Sequence, residues 1–288
     1  MDGPAAVELA RRRPAAPLAG IVAGIVDLSE RSAGPVMRRQ PAGTLVPVVF
    51  SFGSPLTVDH LSEGEGANRS YGSFVAGPSQ GHATTRHPGD QDCVQVYLMP
   101  LGVRRILGVP GSELARRVVA IDDIAPDLGS ALADRIGATA TPADRLRLVE
   151  TVLTRRAEAT RSTPDWIQWM WHRLASTSGR ASIGRLVTET GWSHRYVATR
   201  FRDEIGLSPK EAAGVLRFER ATAGLGALPL ADLAARCGYA DQSHMTRDFV
   251  RHAGEPPTTL AAVKRPTAYT ALGIKDRHAA DPQRRPGT

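Results

Sequence analysis

Two clusters of polar side chains near the C-terminal end have residue types and a spacing suited to reading another molecule. In the first cluster, the helical period places these residues on the outer face of one predicted helix: His194, Arg195, Ala198, Thr199 and Arg202. In the second cluster, it places these on the outer face of another helix: Gln242, Ser243, Thr246 and Arg247. Arginine and glutamine offer hydrogen-bonding groups in a fixed planar arrangement, which is the chemistry that distinguishes base edges in a DNA groove.

Each cluster lies within one copy of a pattern that occurs twice, about 47 residues apart. The matched pairs are Leu186/Leu233, Gly191/Gly238 and Trp192/Tyr239, followed after a one-residue insertion by Ser193/Asp241, Val197/Met245, Phe201/Phe249, Gly206/Gly254 and Pro209/Pro257. Each copy predicts a helix, a turn at glycine and a second helix, which is the unit that places a helix in a DNA groove. A plain helical bundle is the alternative, and the duplication and the polar outer faces argue against it.

Local signals define the ends of these helices. In the first copy, Ser182 is expected to cap a helix over Ile183–Thr190, and Gly191 to end it with a positive φ. Trp192 is expected to fill the corner, and Ser193 to cap a second helix that reaches Ile205. The second copy predicts a helix over Leu230–Cys237, then Gly238 as its end, Tyr239 as the corner residue and Asp241 as the cap.

A connecting helix is predicted over Pro209–Gly224, with a length of about 24 Å at 1.5 Å per residue. A rigid connection of this kind can hold two reading helices roughly 34 Å apart, which is one turn of duplex DNA. Before the first copy, Asp165–Ala175 contains Trp166, Trp169 and Trp171, and is predicted to be a helix that braces this copy.

Several runs of residues within positions 180–263 carry a resemblance to a known family. They are Gly191–Trp192–Ser193, Arg200–Phe201, Gly206–Leu207–Ser208–Pro209–Lys210, Leu216–Arg217–Phe218–Glu219–Arg220–Ala221, and Cys237–Gly238–Tyr239–Ala240–Asp241–Gln242–Ser243–His244. This part of the chain resembles the DNA-binding domain of AraC/XylS-type transcriptional regulators. The match departs from the family at Thr199, where arginine is frequent, and at Pro257–Leu260, which lacks the aromatic–Arg ending.

The resemblance implies that the helices at Ser193–Ile205 and Asp241–His252 enter successive major grooves of DNA. By position in the motif, Arg195, Ala198 and Thr199 would face bases from the first helix. Gln242, Ser243 and Arg247 would do so from the second helix, with His244 near the DNA backbone. Arginine can bind guanine and glutamine can bind adenine, each with roughly 1–3 kcal/mol of discrimination. The predicted DNA-binding set is therefore His194, Arg195, Ala198, Thr199, Arg202, Gln242, Ser243, His244, Thr246 and Arg247.

The N-terminal half is patterned differently. Strand-like runs occur at Leu45–Phe52, Pro55–Leu61, Ser73–Ala76 and Cys93–Met99, with turn-rich segments at 62–70 and 77–92. Helical patterns follow at 101–107, 111–117, 126–136 and 142–160, the last two with apolar stripes that either a second copy of the chain or their own strands could cover. The predicted fold class is α+β: a β-rich, half-barrel or cupin-like sensor domain with helices, followed by an all-α domain of two helix-turn-helix units.

These patterns divide the chain into a flexible leader (1–20), a domain for effector sensing and dimerisation (21–160), a DNA-binding domain (161–265) and a disordered tail (266–288). In AraC/XylS-type regulators, which this chain resembles, the N-terminal region commonly senses a small molecule and mediates dimerisation. The expected partners are therefore double-stranded DNA, a small-molecule effector and a second copy of the chain, with RNA polymerase as a further candidate.

Composition adds limits to this interpretation. The net charge of +7 favours a polyanionic partner, although lysine is scarce and arginine abundant in a way that reflects composition bias as well. Two cysteines, Cys93 and Cys237, fit a reducing compartment and are expected to be buried. Neither a membrane span nor a signal peptide is recognisable, so we expect no membrane partner and a cytoplasmic location.

An enzymatic alternative would use the N-terminal half as a metal-dependent, cupin-like catalyst. Candidate ligands are His60, His82, His87, Glu63, Glu65, Asp90 and Asp92. They lack the closely spaced His-x-His arrangement of such sites, so we expect no metal, no cofactor and no catalytic residues. A DNA-packaging protein without sequence preference is the other alternative.

Overall fold

The structure, a computed structural model, describes residues 6–159 and 162–262. We call residues 6–159 the sheet region and residues 162–262 the helical region. The strands are β1 (Ala6–Arg12), β2 (Val22–Arg31), β3 (Val36–Gln40), β4 (Val46–Ser51), β5 (Leu56–Leu61), β6 (Arg69–Tyr71), β7 (Phe74–Ala76), β8 (Ala83–His87), β9 (Asp90–Leu98) and β10 (Val118–Ala120).

The strands form two antiparallel sheets. One sheet has the order β1-β2-β9-β4-β7-β10, and the other has the order β3-β8-β5-β6. Alternate residues of the larger sheet face opposite sides, as the period of a strand requires. Val49 and Cys93 pack towards Val58 and Tyr71 of the smaller sheet, whereas Phe50 lies in the core formed with the helices.

Four α-helices belong to the sheet region: α1 (Val103–Leu107), α2 (Gly111–Leu114), α3 (Ser130–Gly137) and α4 (Pro142–Ala159). Leu132 and Ile136 of α3 share one hydrophobic core with Val149 and Leu153 of α4 and with the outer face of the larger sheet. The apolar stripes of these helices are therefore covered by their own strands. The Thr141 hydroxyl accepts a hydrogen bond from the Asp144 amide at 3.2 Å and so caps α4.

Two predictions for this region are wrong. The flexible leader does not extend over residues 6–20, because β1 pairs with β2 from Ala6↔Arg31 to Arg12↔Ile25, and Leu18 is completely buried in the core. The turn-rich segments 62–70 and 77–92 include the first residues of β6 and the whole of β8, two short strands of the smaller sheet, and also the start of β9. Both strands are too polar and too short for a clear alternation, and their pairing with β5 stabilises them instead.

The helical region consists of α5 (Asp165–Ser176), α6 (Ile183–Thr190), α7 (His194–Ile205), α8 (Pro209–Ala223), α9 (Leu230–Cys237), α10 (Gln242–Ala253) and α11 (Pro257–Ala262). It has two hydrophobic cores that share α8. Val215 and Leu216 of α8 contribute to the core around α5, α6 and α7, and Phe218 contributes to the core around α9 and α10. Trp171 of α5 lies in the first of these cores, which confirms the predicted brace.

The predicted fold class is confirmed, with a β-rich region of two sheets followed by a helical region with two helix-turn-helix units. Cys93 and Cys237 are buried free thiols, and burial raises the pKa of Cys93 to about 12. Within residues 6–159 and 162–262, every helix is too short or too polar to cross a membrane. The predicted disordered tail lies outside the described residues.

Candidate DNA interface

The first helix-turn-helix unit consists of α6 and α7. The Ser182 hydroxyl accepts a hydrogen bond from the Arg185 amide and caps α6, and the Ser193 hydroxyl does the same for the Tyr196 amide and α7. Gly191 ends α6 with φ = 74°, a conformation in which a side chain would be strained. Val197, Phe201 and Ile205 are buried, so the outer face of α7 is fixed as the period predicted.

The second unit, α9 and α10, has the same construction. Gly238 ends α9 with φ = 81°, and the Asp241 carboxylate caps α10 by accepting a hydrogen bond from the His244 amide at 2.6 Å. Met245 and Phe249 are fully buried. The caps, the glycine ends and the outer faces predicted for both copies are therefore confirmed. The connecting helix α8 begins with a capping box formed by Ser208 and Glu211.

The corner residues of the two units differ. Tyr239 fills its corner as predicted, with 5% of its surface exposed, and burial raises its pKa. The same prediction for Trp192 is wrong, because its side chain is 52% exposed. The Trp192 ring lies 4.8 Å from the Tyr196 ring, and Tyr196 lies 6.1 Å from Trp166 of α5. These rings form a ladder on the surface, since no element covers this corner within the described chain.

The predicted DNA-binding residues lie on the outer faces of α7 and α10. Eight of the ten are exposed, and they include Arg195, Gln242 and Arg247. His244 and Thr246 are half-buried: the His244 ring packs edge-on against Tyr239, and the Thr246 hydroxyl donates to the Gln242 carbonyl at 2.9 Å. The structure thus brings the members of each cluster together on one helix face. Their role in binding DNA stays a prediction.

Arg202 differs from the other predicted DNA-binding residues because it shares the Glu211 carboxylate with Arg116 of the sheet region. Glu211 of α8 lies 3.3 Å from Arg202 and 2.7 Å from Arg116, which precedes β10. Burial disfavours the charged form of Glu211, but the hydrogen bonds with Ser208 and the two arginines outweigh it, so its pKa is lowered. Arg202 is therefore held near the C-terminal end of α7, where it is less free to move than Arg195.

The sheet region also contacts the C-terminal ends of both reading helices. At α7, Arg104 of α1 donates to Glu204 at 2.8 Å, and Gly111 of α2 packs directly against the backbone of Glu204 and Ile205. At α10, the His252 ring donates to the Gln80 carbonyl at 2.6 Å, and the Ala42 amide donates to the His252 carbonyl at 2.7 Å. No local sequence pattern indicates these contacts, because they join residues more than 90 positions apart.

The candidate metal ligands are engaged in other contacts. Glu63 accepts hydrogen bonds from Ser79, Gln80 and Gly81, and His87 is buried beside Glu30 at 3.3 Å. Asp92 accepts hydrogen bonds from Arg31 at 2.8 and 3.0 Å. Across the two described stretches of chain, no three His, Cys, Asp or Glu side chains are grouped so that they could hold a metal ion.

A cavity of about 480 Å³ lies on the outer face of the larger sheet, beside the start of α4. Asp27 and Arg145 meet there at 3.2 Å, and the Arg145 guanidinium stacks over Phe52 at 5.0 Å. Asp27 is buried, which raises its pKa in spite of the neighbouring Arg145. Glu8, Leu9 and Ala10 of β1 form another wall of this cavity. The sequence did not indicate it, because its residues come from separate strands and a helix.

Residues 186–262 match the family model of a helix-turn-helix domain, of the AraC type. Among solved structures, the C-terminal domain of AraT, a response regulator from Geobacillus stearothermophilus, is 19% identical, with 37% of this chain and 92% of that chain covered and a TM-score of 0.33. ToxT from Vibrio cholerae O395, bound to (E)-4-(8-methylnaphthalen-1-yl)but-3-enoic acid, is 10% identical, with 90% and 98% covered and a TM-score of 0.46. No curated protein sequence matches the chain. The predicted AraC-type resemblance of the C-terminal part is confirmed, and residues 186–262 form a DNA-binding module.

Proposed function

We propose, from the AraC-type helix-turn-helix domain at residues 186–262, that this chain is a sequence-specific transcriptional regulator that reads DNA with two helices. The observation that carries the proposal is the pair of exposed polar faces on α7 and α10, each fixed by a buried inner face and an N-terminal cap. A shared α8 and a common sheet region hold both helices. Binding to chromosomal DNA requires the cytoplasmic location that the sequence predicts.

The two faces are suited to different parts of the task. Gln242, Ser243 and Arg247 offer donors and acceptors to base edges from α10, whereas Arg195 does so from α7, where Ala198 and Thr199 are small. The N-terminal ends of both helices and the surrounding arginines would hold phosphates, which position the protein without reading sequence. We therefore expect α10 to supply more of the base discrimination than α7.

The variants Gln242→Ala and Arg247→Ala test this assignment. Each is expected to lower discrimination between a specific site and competitor DNA by roughly 1–3 kcal/mol, with a smaller loss of affinity for non-specific duplex. The specific sites would come from genome-wide footprinting of the tagged protein, and gel shifts at fixed salt would then measure the ratio. Arg185→Ala, an exposed arginine on α6, is the matched control. Full selectivity in both variants would contradict the assignment of α10.

We further propose that a small molecule controls binding from the sheet region. The cavity beside α4 supports this, because a buried ion pair at the wall of a cavity is a frequent feature of binding sites. The opposite end of α4 is joined to α1, since Arg156 donates to the Ile106 carbonyl and Arg105 donates to the Ala157 carbonyl at 2.6 Å. Arg104 of α1 contacts α7, so a path leads from the cavity to the first reading helix.

Footprinting repeated with candidate metabolites would identify the effector. Arg145→Met should then abolish the response to it while leaving DNA binding without effector unchanged, because Arg145 bonds to Asp27 and Thr139 and stacks on Phe52, all within the sheet region. An unchanged response in this variant would place the effector elsewhere. The chain would act as a homodimer, and RNA polymerase is the further partner expected for a regulator of this class.

The metal-dependent enzyme is the second candidate, and no observation favours it over the regulator. The DNA-packaging protein predicts equal affinity for any duplex. The competitor ratio measured in the gel shifts distinguishes it from a sequence-specific regulator.

A further inference from the structure

The strand β1 has an unusual position at the edge of the larger sheet. One side of it pairs with β2 along its full length, and no strand of the described chain pairs with the other side. Its side chains are exposed except for the half-buried Ala10. An edge of this length offers unpaired backbone amides and carbonyls, which proteins normally shorten, cover or use for pairing with another chain.

We propose that this edge is the dimer interface, and that β1 of one copy pairs antiparallel with β1 of a second copy around a twofold axis. This inference rests on the homodimer of the proposed function and specifies its surface. The apolar stripes of α3 and α4 are buried against the larger sheet of the same chain, so they are not available for a partner. On β1, by contrast, Val7 and Leu9 remain 46% and 41% exposed.

Charge complementarity supports a second copy as the occupant. Because side chains alternate along a strand, Glu8, Ala10 and Arg12 point to one face of the sheet, and a twofold axis perpendicular to the sheet keeps them on that face in both copies. An antiparallel pairing centred on Ala10 places Glu8 of each copy opposite Arg12 of the other. On the opposite face it places Leu9 of each copy directly opposite Arg11 of the other copy, with the two Leu9 side chains in diagonal contact.

Arg12 can make this contact without losing the one it already has. Its Nε donates to Glu150 of α4 at 2.6 Å, and its side chain is 42% exposed. A guanidinium has five N–H donors in a planar fork, so its Nη groups can donate to Glu8 of the other copy. Glu150 also accepts from the Ala15 amide at 2.9 Å, which holds the end of β1 in place before a partner binds.

The proposed interface lies next to the cavity. Glu8, Leu9 and Ala10 line it together with Asp27 and Arg145. A ligand in the cavity would therefore touch the strand that joins the two copies as well as the helix that leads towards α7. Dimerisation and effector binding would be coupled through β1.

Sedimentation of the full-length protein without DNA tests the interface. We expect a dimer, and we expect Glu8→Arg and Leu9→Arg each to raise its dissociation constant by about tenfold or more, because each places a positive charge against the arginines of the other copy. Glu158→Arg, a charge reversal on the exposed side of α4, is the matched control and should leave the constant unchanged. Circular dichroism would establish that the variants remain folded.

A cysteine at the twofold axis provides a second measurement. The Ala10→Cys variant should form a disulfide-linked dimer under mild oxidation, because directly opposite Cβ atoms on paired strands lie about 4.5–5.5 Å apart. The native Cys93 and Cys237 are buried and should not compete. Glu158→Cys should not crosslink. A protein that is monomeric at all concentrations, or a dimer that neither Leu9→Arg weakens nor Ala10→Cys crosslinks, would overturn the proposal, and DNA binding, measured separately, would be unaffected by that outcome.

Discussion

The two helix-turn-helix units share a backbone plan but differ in how their corners are closed. In both units a side chain caps the reading helix, a glycine with positive φ ends the first helix, and buried apolar residues fix the inner face. Tyr239 is covered at its corner by Arg217 of α8, which lies 5.9 Å from its ring, and by His244. The Trp192 ring is exposed and lies against the exposed ring of Tyr196. A repeated pattern therefore determines the local backbone, while burial depends on what the rest of the chain places beside it.

The largest expected effect is the loss of stability on removal of the buried corner ring, Tyr239, compared with removal of the exposed corner ring, Trp192. Tyr239→Ala should lower the free energy of unfolding by about 3 kcal/mol, because it leaves a cavity in the second core. Trp192→Ala should cost about 1 kcal/mol or less, because the ring is largely solvated and loses only its contact with Tyr196. Urea unfolding of both variants checks the difference.

Tyr239→Phe is the control for this comparison. The Tyr239 hydroxyl is buried and has no hydrogen-bond partner in the described structure. Its removal should therefore leave stability unchanged within about 0.5 kcal/mol, or raise it. Equal losses for Tyr239→Ala and Trp192→Ala would contradict the difference between the corners.

Removal of the N-terminal cap should destabilise the two units equally, unlike removal of the corner ring, because the caps of α7 and α10 are equivalent. Ser193→Ala and Asp241→Ala should each lower stability by about 1 kcal/mol, since each removes the acceptor for an amide in the first turn of a reading helix. Asp241→Asn retains a side-chain acceptor and should cost less. Thermal unfolding of the three variants measures these effects, and a cap that matters in only one unit would break the equivalence.

A fall in pH should weaken the contact of the second unit with the sheet region more than the contact of the first unit. Burial lowers the pKa of His252 and of His82, which lies against Gly254, so both rings are neutral in the folded state at neutral pH. The unfolded chain binds more protons below about pH 6.5, and the stability from these neutral rings is therefore lost as the pH falls from there through the folded pKa values. Asp248, Arg251 and Glu63 are the charged groups that act on His252.

The attachment of α7 uses Arg104 and Glu204 and contains no histidine. Amide hydrogen exchange at pH 7.5 and 5.5, corrected for the intrinsic rates, should therefore show a few-fold loss of protection at the end of α10 and a smaller change at the end of α7. His252→Gln should remove much of this difference. A larger loss at α7 would show that the histidines do not control the attachment.

Features that depend on residues close together in the sequence could be predicted, and features that depend on distant residues could not. Caps, glycine turns and outer helix faces, such as those at Ser193, Gly238 and Arg247, depend on neighbours within a few residues and are predicted correctly. The strand β1 and the exposure of Trp192 are not predicted from the sequence. The strand depends on pairing with β2, and the exposure of Trp192 depends on whether another element of the chain packs over its corner. The contacts of Glu204 and His252 with the sheet region, and the cavity at Asp27, join distant segments that no local pattern connects.

The most direct test of the account is whether both units read one duplex at the same time. Gel shifts with a site found by footprinting, and with the same site carrying 5 extra base pairs between its two halves, measure this, because about half a turn of DNA moves one half-site to the opposite face. We predict that the insertion lowers affinity to that of a site with one half destroyed. Unchanged affinity after the insertion would contradict simultaneous reading by α7 and α10.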